Sequence, residues 1–168
     1  LPDPGHYGVG MLFLPRDPDQ RRICESLIEQ TIEEVNQRLL GWRTVPVEDA
    51  ELGYLARKSQ PFIRQVFIGR NTQIADEDFF EQKLYIIRKT IEKAAGLLDL
   101  ETTKDFYVAS LSSNRVVYKG LLIGTQLEGF YPDLSDPRAT TSFALIHARF
   151  STNTLGSWKL AHPYRFVC

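Results

Sequence analysis

Cysteine is scarce in this chain: 168 residues contain two, Cys24 and Cys168. Two thiols close at most one bridge and offer no disulfide framework, so a reducing, cytoplasmic setting is expected. No apolar run approaches the roughly 18 residues that a membrane span needs. An excess of one charge is also missing. Twenty Lys and Arg stand against 21 Asp and Glu, for a net charge of −1. With no basic cluster, neither nucleic acid nor an anionic membrane is an expected partner. The opening Leu1-Pro2-Asp3-Pro4-Gly5-His6 has no initiator Met, no basic stretch and no apolar stretch, so it does not read as a signal peptide. It has the character of an interior loop, and Tyr164 to Cys168 that of an incoming strand. The chain is therefore expected to begin and end within a longer protein.

What is present suits a globular fold. Apolar residues make up 43% of the chain, enough to build a core. There is no internal repeat and no low-complexity tract. Tyr7 to Leu14 reads as a strand closed by Pro15. Asp17 as N-cap, Pro18 at the first helical position and Gln20 as capping-box partner start a helix. Its stripe is Ile23, Leu27, Ile28, Ile32, Val35 and Leu39, which carries the helix to about Arg38. Gly41 to Val47 reads as a strand, Glu51 to Lys58 as a short helix, and Phe62 to Ile68 as a strand covered on both faces. Asp76, Glu77 and Asp78 favour a second long helix, with stripe Phe80, Leu84, Ile87, Ile91 and Ala95 and a stop at Gly96. Phe106 to Leu111 and Arg115 to Lys119 read as a hairpin about Ser112-Ser113-Asn114. A short helix is expected near Gly124 to Glu128, a loop over Tyr131 to Arg138 and a last strand over Ser142 to Phe150. Mixed helices and hairpin-joined strands favour an α+β layered sandwich over a doubly wound parallel sheet.

The last strand is the best place for chemistry. Alternation puts Phe143, Leu145, His147 and Arg149 on one face, and Ser151-Thr152-Asn153-Thr154 follows directly. An arginine at a strand end with hydroxyls and an amide behind it suits a carboxylate, because the guanidinium fork matches both oxygens. On pattern alone a strand-end arginine in a surface ion pair is the commoner outcome. The glycines of Gly5-His6-Tyr7-Gly8-Val9-Gly10 lack the spacing of a dinucleotide fingerprint and precede a strand, so a nucleotide-binding domain is disfavoured. His6, His147 and His162 are far apart in sequence and show no metal-ligand spacing. Cys24 lies on or beside an apolar helical stripe and Cys168 in an apolar run, so both read as inert thiols. No Gly-x-Ser-x-Gly motif is present.

Several segments resemble, in order, the class II glutamine amidotransferase domain of glutamate synthase large subunits. They are Tyr7 to Pro15, Leu40 to Val47, Leu84 to Lys89, Phe106 to Ser113, Val117 to Gly120 and Phe130 to Leu134. The most specific blocks are Arg149-Phe150-Ser151-Thr152-Asn153-Thr154 and Ser157-Trp158-Lys159-Leu160-Ala161-His162-Pro163. The resemblance covers essentially the whole chain.

It implies a partial N-terminal-nucleophile hydrolase fold, a four-layer αββα sandwich, with residues 1–168 forming part of one such domain, incomplete at both ends. It implies hydrolysis of glutamine and delivery of ammonia for glutamate synthesis from 2-oxoglutarate. Arg149 would bind the glutamine α-carboxylate, and Thr152 and Asn153 would help enclose the substrate. No residue of this chain is implied as catalytic. The family's nucleophile is an N-terminal cysteine whose own amine is the base, and its oxyanion donors are an Asn-Gly pair after the Tyr-Arg-Phe strand. Both are expected outside these residues, so this piece alone is expected to be inactive. FMN and an iron–sulfur cluster are implied for the parent enzyme and no cofactor for this piece. Expected partners are glutamine, the synthase domain, and a small subunit or ferredoxin. A non-catalytic module that binds an amino acid through Arg149 is the alternative.

Overall fold

A computed structural model describes residues 1–98, 104–149 and 156–163. In chain order the elements are β1 (Tyr7–Leu14), α1 (Pro18–Glu34), β2 (Arg38–Thr44), α2 (Tyr54–Lys58), β3 (Phe62–Gly69), α3 (Glu77–Ala95), β4 (Tyr107–Ser112) and α4 (Leu127–Phe130). The chain divides into two compact units. One comprises Leu1–Thr44 and Pro61–Val116, and the other Val45–Gln60 with the chain from Val117 onward.

The first unit is a four-stranded sheet in the order β2-β3-β1-β4, with every neighbouring pair antiparallel. Two crossovers interleave, β1-α1-β2 and β3-α3-β4, each skipping one strand. This is a split β-α-β arrangement. The start of α1 matches expectation: Asp17 Oδ1 accepts from the amides of Asp19 at 3.1 Å and Gln20 at 2.9 Å. Its end does not. The helix stops at Glu34, where Asn36 takes a positive φ of 59° and the Gln37 amide turns back to the Ile32 carbonyl. Leu39, placed on the helical stripe from its spacing, lies in β2 instead. The stripe of α3 is as expected: Phe80, Leu84, Ile87, Ile91 and Ala95 are all buried, between the Asp76 N-cap and Gly96.

Cys24, Ile28 and Ile32 of α1 join that stripe against Leu12, Leu14, Val66, Ile68, Val108 and Leu111 of the sheet. Gly8 makes the fit of α3 possible, since a Cβ there would lie 2.5 Å from Leu84 Cδ1. The glycine-rich start of β1 therefore serves helix–sheet packing. The other sheet face is apolar and buried as well. Met11 is 0% exposed, Phe13 1%, Ile63 3% and Ala109 1%. The two polar residues in β3 go to opposite sides. The Arg64 guanidinium meets Glu25 Oε1 of α1 at 2.6 Å and lies over the Trp42 ring, while Gln65 Oε1 accepts from Arg43 at 2.9 Å.

The expected hairpin about Ser112-Ser113-Asn114 is not formed. β4 pairs with β1, and residues 115–119 join no ladder. The Glu81 carboxylate of α3 captures the turn instead. It accepts from Ser112 Oγ at 3.0 Å and Ser113 Oγ at 2.6 Å, and also from the Ser113 amide. Side-chain hydrogen bonds of this kind compete with a ladder.

The second unit holds α2, a 3-10 turn at Gly124–Gln126, α4 and a 3-10 turn at Pro132–Ser135. Three bonds tie its two chain segments together. Glu48 N donates to Phe130 O at 3.0 Å, Gln126 Nε2 to Glu51 O at 2.6 Å, and Trp158 Nε1 to Ala56 O at 2.9 Å. The strand expected over Ser142 to Phe150 is not observed across residues 142–149. A strand exists only as a member of a ladder, and among the described residues no segment pairs with this one. Its apolar side chains stand in solvent: Phe143 is 76% exposed and Ile146 82%.

Candidate functional site

Arg149, the main site residue expected from the sequence, is exposed. Thr152 and Asn153 lie outside the described residues. What the structure defines is how the two ends of the intervening stretch are held. On the upstream side, His147 Nε2 donates to the Arg149 carbonyl at 2.7 Å. The His147 ring also stacks on His162, with centroids 4.4 Å apart and planes inclined by 25°. Two histidines distant in sequence therefore meet. Among the described residues no three His, Cys, Asp or Glu side chains gather as a metal set.

On the downstream side a single helical turn follows. Ala161 N donates to Ser157 O at 3.0 Å, and Leu160 N to Ser157 Oγ at 3.3 Å. Trp158 and Ala161 are its buried plugs, at 4% and 1% exposure. The Trp158 ring packs on Phe130 at 5.4 Å. It also lies so close to Gly120 that a Cβ there would sit 2.6 Å from Cζ3. Lys119 closes the turn from the other end. It is 2% exposed, and its Nζ donates to the Lys159 carbonyl at 3.0 Å. The Lys119 carbonyl accepts from Tyr131 Oη at 2.8 Å. Burial, and then neighbouring Tyr118, push the Tyr131 phenol far above its usual pKa, so it stays a neutral donor.

Sequence reasoning passed over Lys119 and Trp158 as site residues. A signal was available: Lys119 interrupts the apolar run Val116-Val117-Tyr118 … Leu121-Leu122-Ile123. A cation inside such a run has to find a partner when it is buried.

The surroundings of Cys24 do not suit a nucleophile. Cys24 is in no disulfide and is fully buried. Desolvation first, and the Glu25 charge second, push its pKa up to about 11, which keeps it a neutral thiol. Cys168 lies outside the described residues.

Comparison with known proteins gives the family. The family model described as "Glutamine amidotransferases class-II" matches residues 1–168. The chain is 48% identical over 167 residues to the "Glutamate synthase (NADPH) large chain" of Bacillus subtilis (strain 168), covering 99% of this chain and 11% of that protein. It is 42% identical over 160 residues to the corresponding large chain of Azospirillum brasilense, covering 95% and 10%. It is also 42% identical over 165 residues to "Ferredoxin-dependent glutamate synthase 2, chloroplastic" of Arabidopsis thaliana, covering 98% and 10%. The chain thus spans about a tenth of the length of these relatives. A match across every residue, with large-chain relatives at this identity, means that the chain belongs to the class-II glutamine amidotransferases.

Proposed function

We propose that this chain is the glutamine-binding part of the amidotransferase domain of a glutamate synthase. In that reading the Arg149 guanidinium pairs with the substrate α-carboxylate, and Thr152 and Asn153 help enclose the amino acid. The observation that carries it is the family match running through Arg149-Phe150-Ser151-Thr152-Asn153. Exposure of Arg149 leaves its fork accessible to a planar anion.

Residues 1–168 then form part of one domain whose remaining residues belong to the parent chain. Two apolar sheet faces in the first unit suit a member of a layered αββα sandwich, in which each sheet is covered twice. The apolar segment 142–149, which pairs with no segment among the described residues, suits a strand whose partner lies outside them. Cleavage of the amide falls to an N-terminal cysteine and an Asn-Gly pair supplied by the parent. The 168 residues contain no Asn-Gly dipeptide. Ammonia would pass to the synthase domain, with electrons reaching it through a small subunit or ferredoxin.

The iron–sulfur cluster implied for such an enzyme does not fit the donors here. A cluster takes four cysteine-type ligands. This chain has two cysteines, one of them buried in the α1 core. The cluster is therefore assigned to the rest of the parent. Cys24 forms no disulfide, which suits a reducing, cytoplasmic setting.

The test is Arg149→Ala in the full-length parent protein. Glutamine-dependent glutamate synthesis should fall by roughly 100-fold or more, through loss of a charge-assisted bidentate pair and of substrate alignment. Synthesis from free ammonia should persist. Equal loss of both activities would overturn the reading.

A further inference from the structure

We propose that His147 is a positioning residue for Arg149, itself held by His162, a role that rests on the reading above. The segment 142–149 joins no ladder among the described residues, so no neighbouring strand there fixes its backbone. In an extended chain residues i and i+2 share a face, and His147 and Arg149 are so spaced. The His147 ring uses that spacing. Its Nε2 lies 2.7 Å from the Arg149 carbonyl oxygen. A carbonyl only accepts, so the contact requires the proton on Nε2 and sets the tautomer of the neutral ring. The bond ties down the main chain of the residue whose exposed guanidinium is offered to a carboxylate.

A bond between residues two apart constrains little unless the donor is itself held. Here the His147 ring lies on the His162 ring, with centroids 4.4 Å apart and planes inclined by 25°. Aromatic rings in such stacked contact attract one another. His162 comes from a different stretch of chain, directly after the turn in which Ala161 N donates to Ser157 O. Ala161 is 1% exposed, so that turn is packed. The stack thus refers the Arg149 backbone to a packed part of the same unit. His147 touches no substrate in this assignment. It orients the Arg149 backbone, and through it the direction in which the guanidinium meets the α-carboxylate. A bidentate pair depends on that direction, because two parallel N–H···O bonds are aligned together.

The experiment uses the full-length parent protein. His147→Phe keeps a ring on His162 and removes the Nε2–H. KM for glutamine should rise about tenfold, because a small displacement of Arg149 misaligns both bonds. The kcat with glutamine should stay within about twofold, since the cleaving groups are elsewhere. Ammonia-dependent synthesis should stay constant. His147→Gln places an amide donor near the same carbonyl and should recover part of the loss. A merely structural histidine would lower both activities together, leave the glutamine KM alone, or show no recovery with Gln. Each of these results overturns the proposal for a folded variant. If His147→Phe does not fold, His162→Ala decides. It deletes the stack, and the glutamine KM alone should rise about threefold, the worth of one ring pair. An unchanged KM, or equal loss of both activities, overturns the proposal. Arg149→Ala run in parallel separates the two readings. No effect there sinks the glutamine assignment itself, whereas a large effect there with none at His147 and His162 sinks only the positioning role. Because His147 acts through Arg149, His147→Phe added to Arg149→Ala should lower kcat/KM for glutamine no further, and full additivity overturns the proposal.

Discussion

Glu81, in the second turn of α3, accepts hydrogen bonds from both the amide and the hydroxyl of Ser113 at the end of β4. The same carboxylate takes Ser112 Oγ. A helix side chain thereby ends the edge strand and directs the chain out of the sheet. Charge-assisted bonds to a partly buried carboxylate contribute about 1.5–3 kcal/mol each at most. Glu81→Gln keeps the shape, removes the charge and puts an amide donor against donors. The expected result is a loss of about 1–3 kcal/mol. Amide exchange at Ser113 and Asn114 should accelerate while the centre of β1 stays protected, as hydrogen-exchange mass spectrometry of the full-length protein would show. Unchanged exchange at the turn would refute the anchoring role.

This contact also explains where the sequence could be read and where it could not. The α3 stripe and its acidic start were legible because they are local: a period of 3.6 and a run of acids lie within one stretch of chain. The cap of α1 was legible for the same reason, and its end was not. Leu39 continues the helical period, but Asn36 adopts a left-handed conformation and ends the helix first. The hairpin about Ser113 failed because its competitor, Glu81, lies 32 residues away. The segment 142–149 has the right alternation for a strand, yet alternation cannot supply a partner. At the candidate site Arg149 was singled out by residue types, which alone favoured a surface ion pair, and its substrate role rests on the family resemblance. The stacking of His147 on His162 and the anchoring by Lys119 required the fold.

Packing at Gly8 gives a second prediction. A methyl group there would meet Leu84 Cδ1 at 2.5 Å, and Leu84 is fully buried in the core between α3 and the sheet. Overpacking of this kind costs about 1–3 kcal/mol. Gly8→Ala should therefore lower the thermal midpoint, and Gly8→Ala combined with Leu84→Val should recover part of the loss. Full additivity of the two substitutions would refute the proposed contact.

Cys24 gives a prediction in pH. Its folded pKa is raised from 9.0 to about 11, chiefly by burial. The neutral thiol is thus favoured in the fold. This stabilisation is complete below pH 9 and is lost as pH rises through about 11. Two units correspond to roughly 3 kcal/mol. Alkylation of Cys24 in the folded protein, followed by peptide mass spectrometry, should be negligible at pH 8. It should rise steeply only near pH 11. Half-maximal labelling near pH 9 under native conditions would show a solvent-like thiol and contradict the buried placement.

Arg149→Lys tests the geometry of the proposed carboxylate contact rather than its charge. Lysine keeps one positive charge but offers a point donor in place of a planar fork. If Arg149 holds the glutamine α-carboxylate through two parallel bonds, the lysine variant should lie between wild type and Arg149→Ala. A rise in glutamine KM of about 10- to 100-fold is expected, since one of two charge-assisted bonds and its alignment are lost. Thr152→Ala and Asn153→Ala should each raise KM by a smaller factor, roughly 5- to 20-fold, the cost of a single hydrogen bond to a charged substrate. Ammonia-dependent synthesis should be the same in all three variants. If Lys at 149 proves equal to Arg, a diffuse electrostatic role replaces the bidentate one. A Lys variant as poor as Ala places the whole effect in the fork. The order Arg, Lys, Ala in steady-state glutamine KM, at constant ammonia-dependent rate, is the outcome that an exposed guanidinium pairing with a carboxylate leads us to expect.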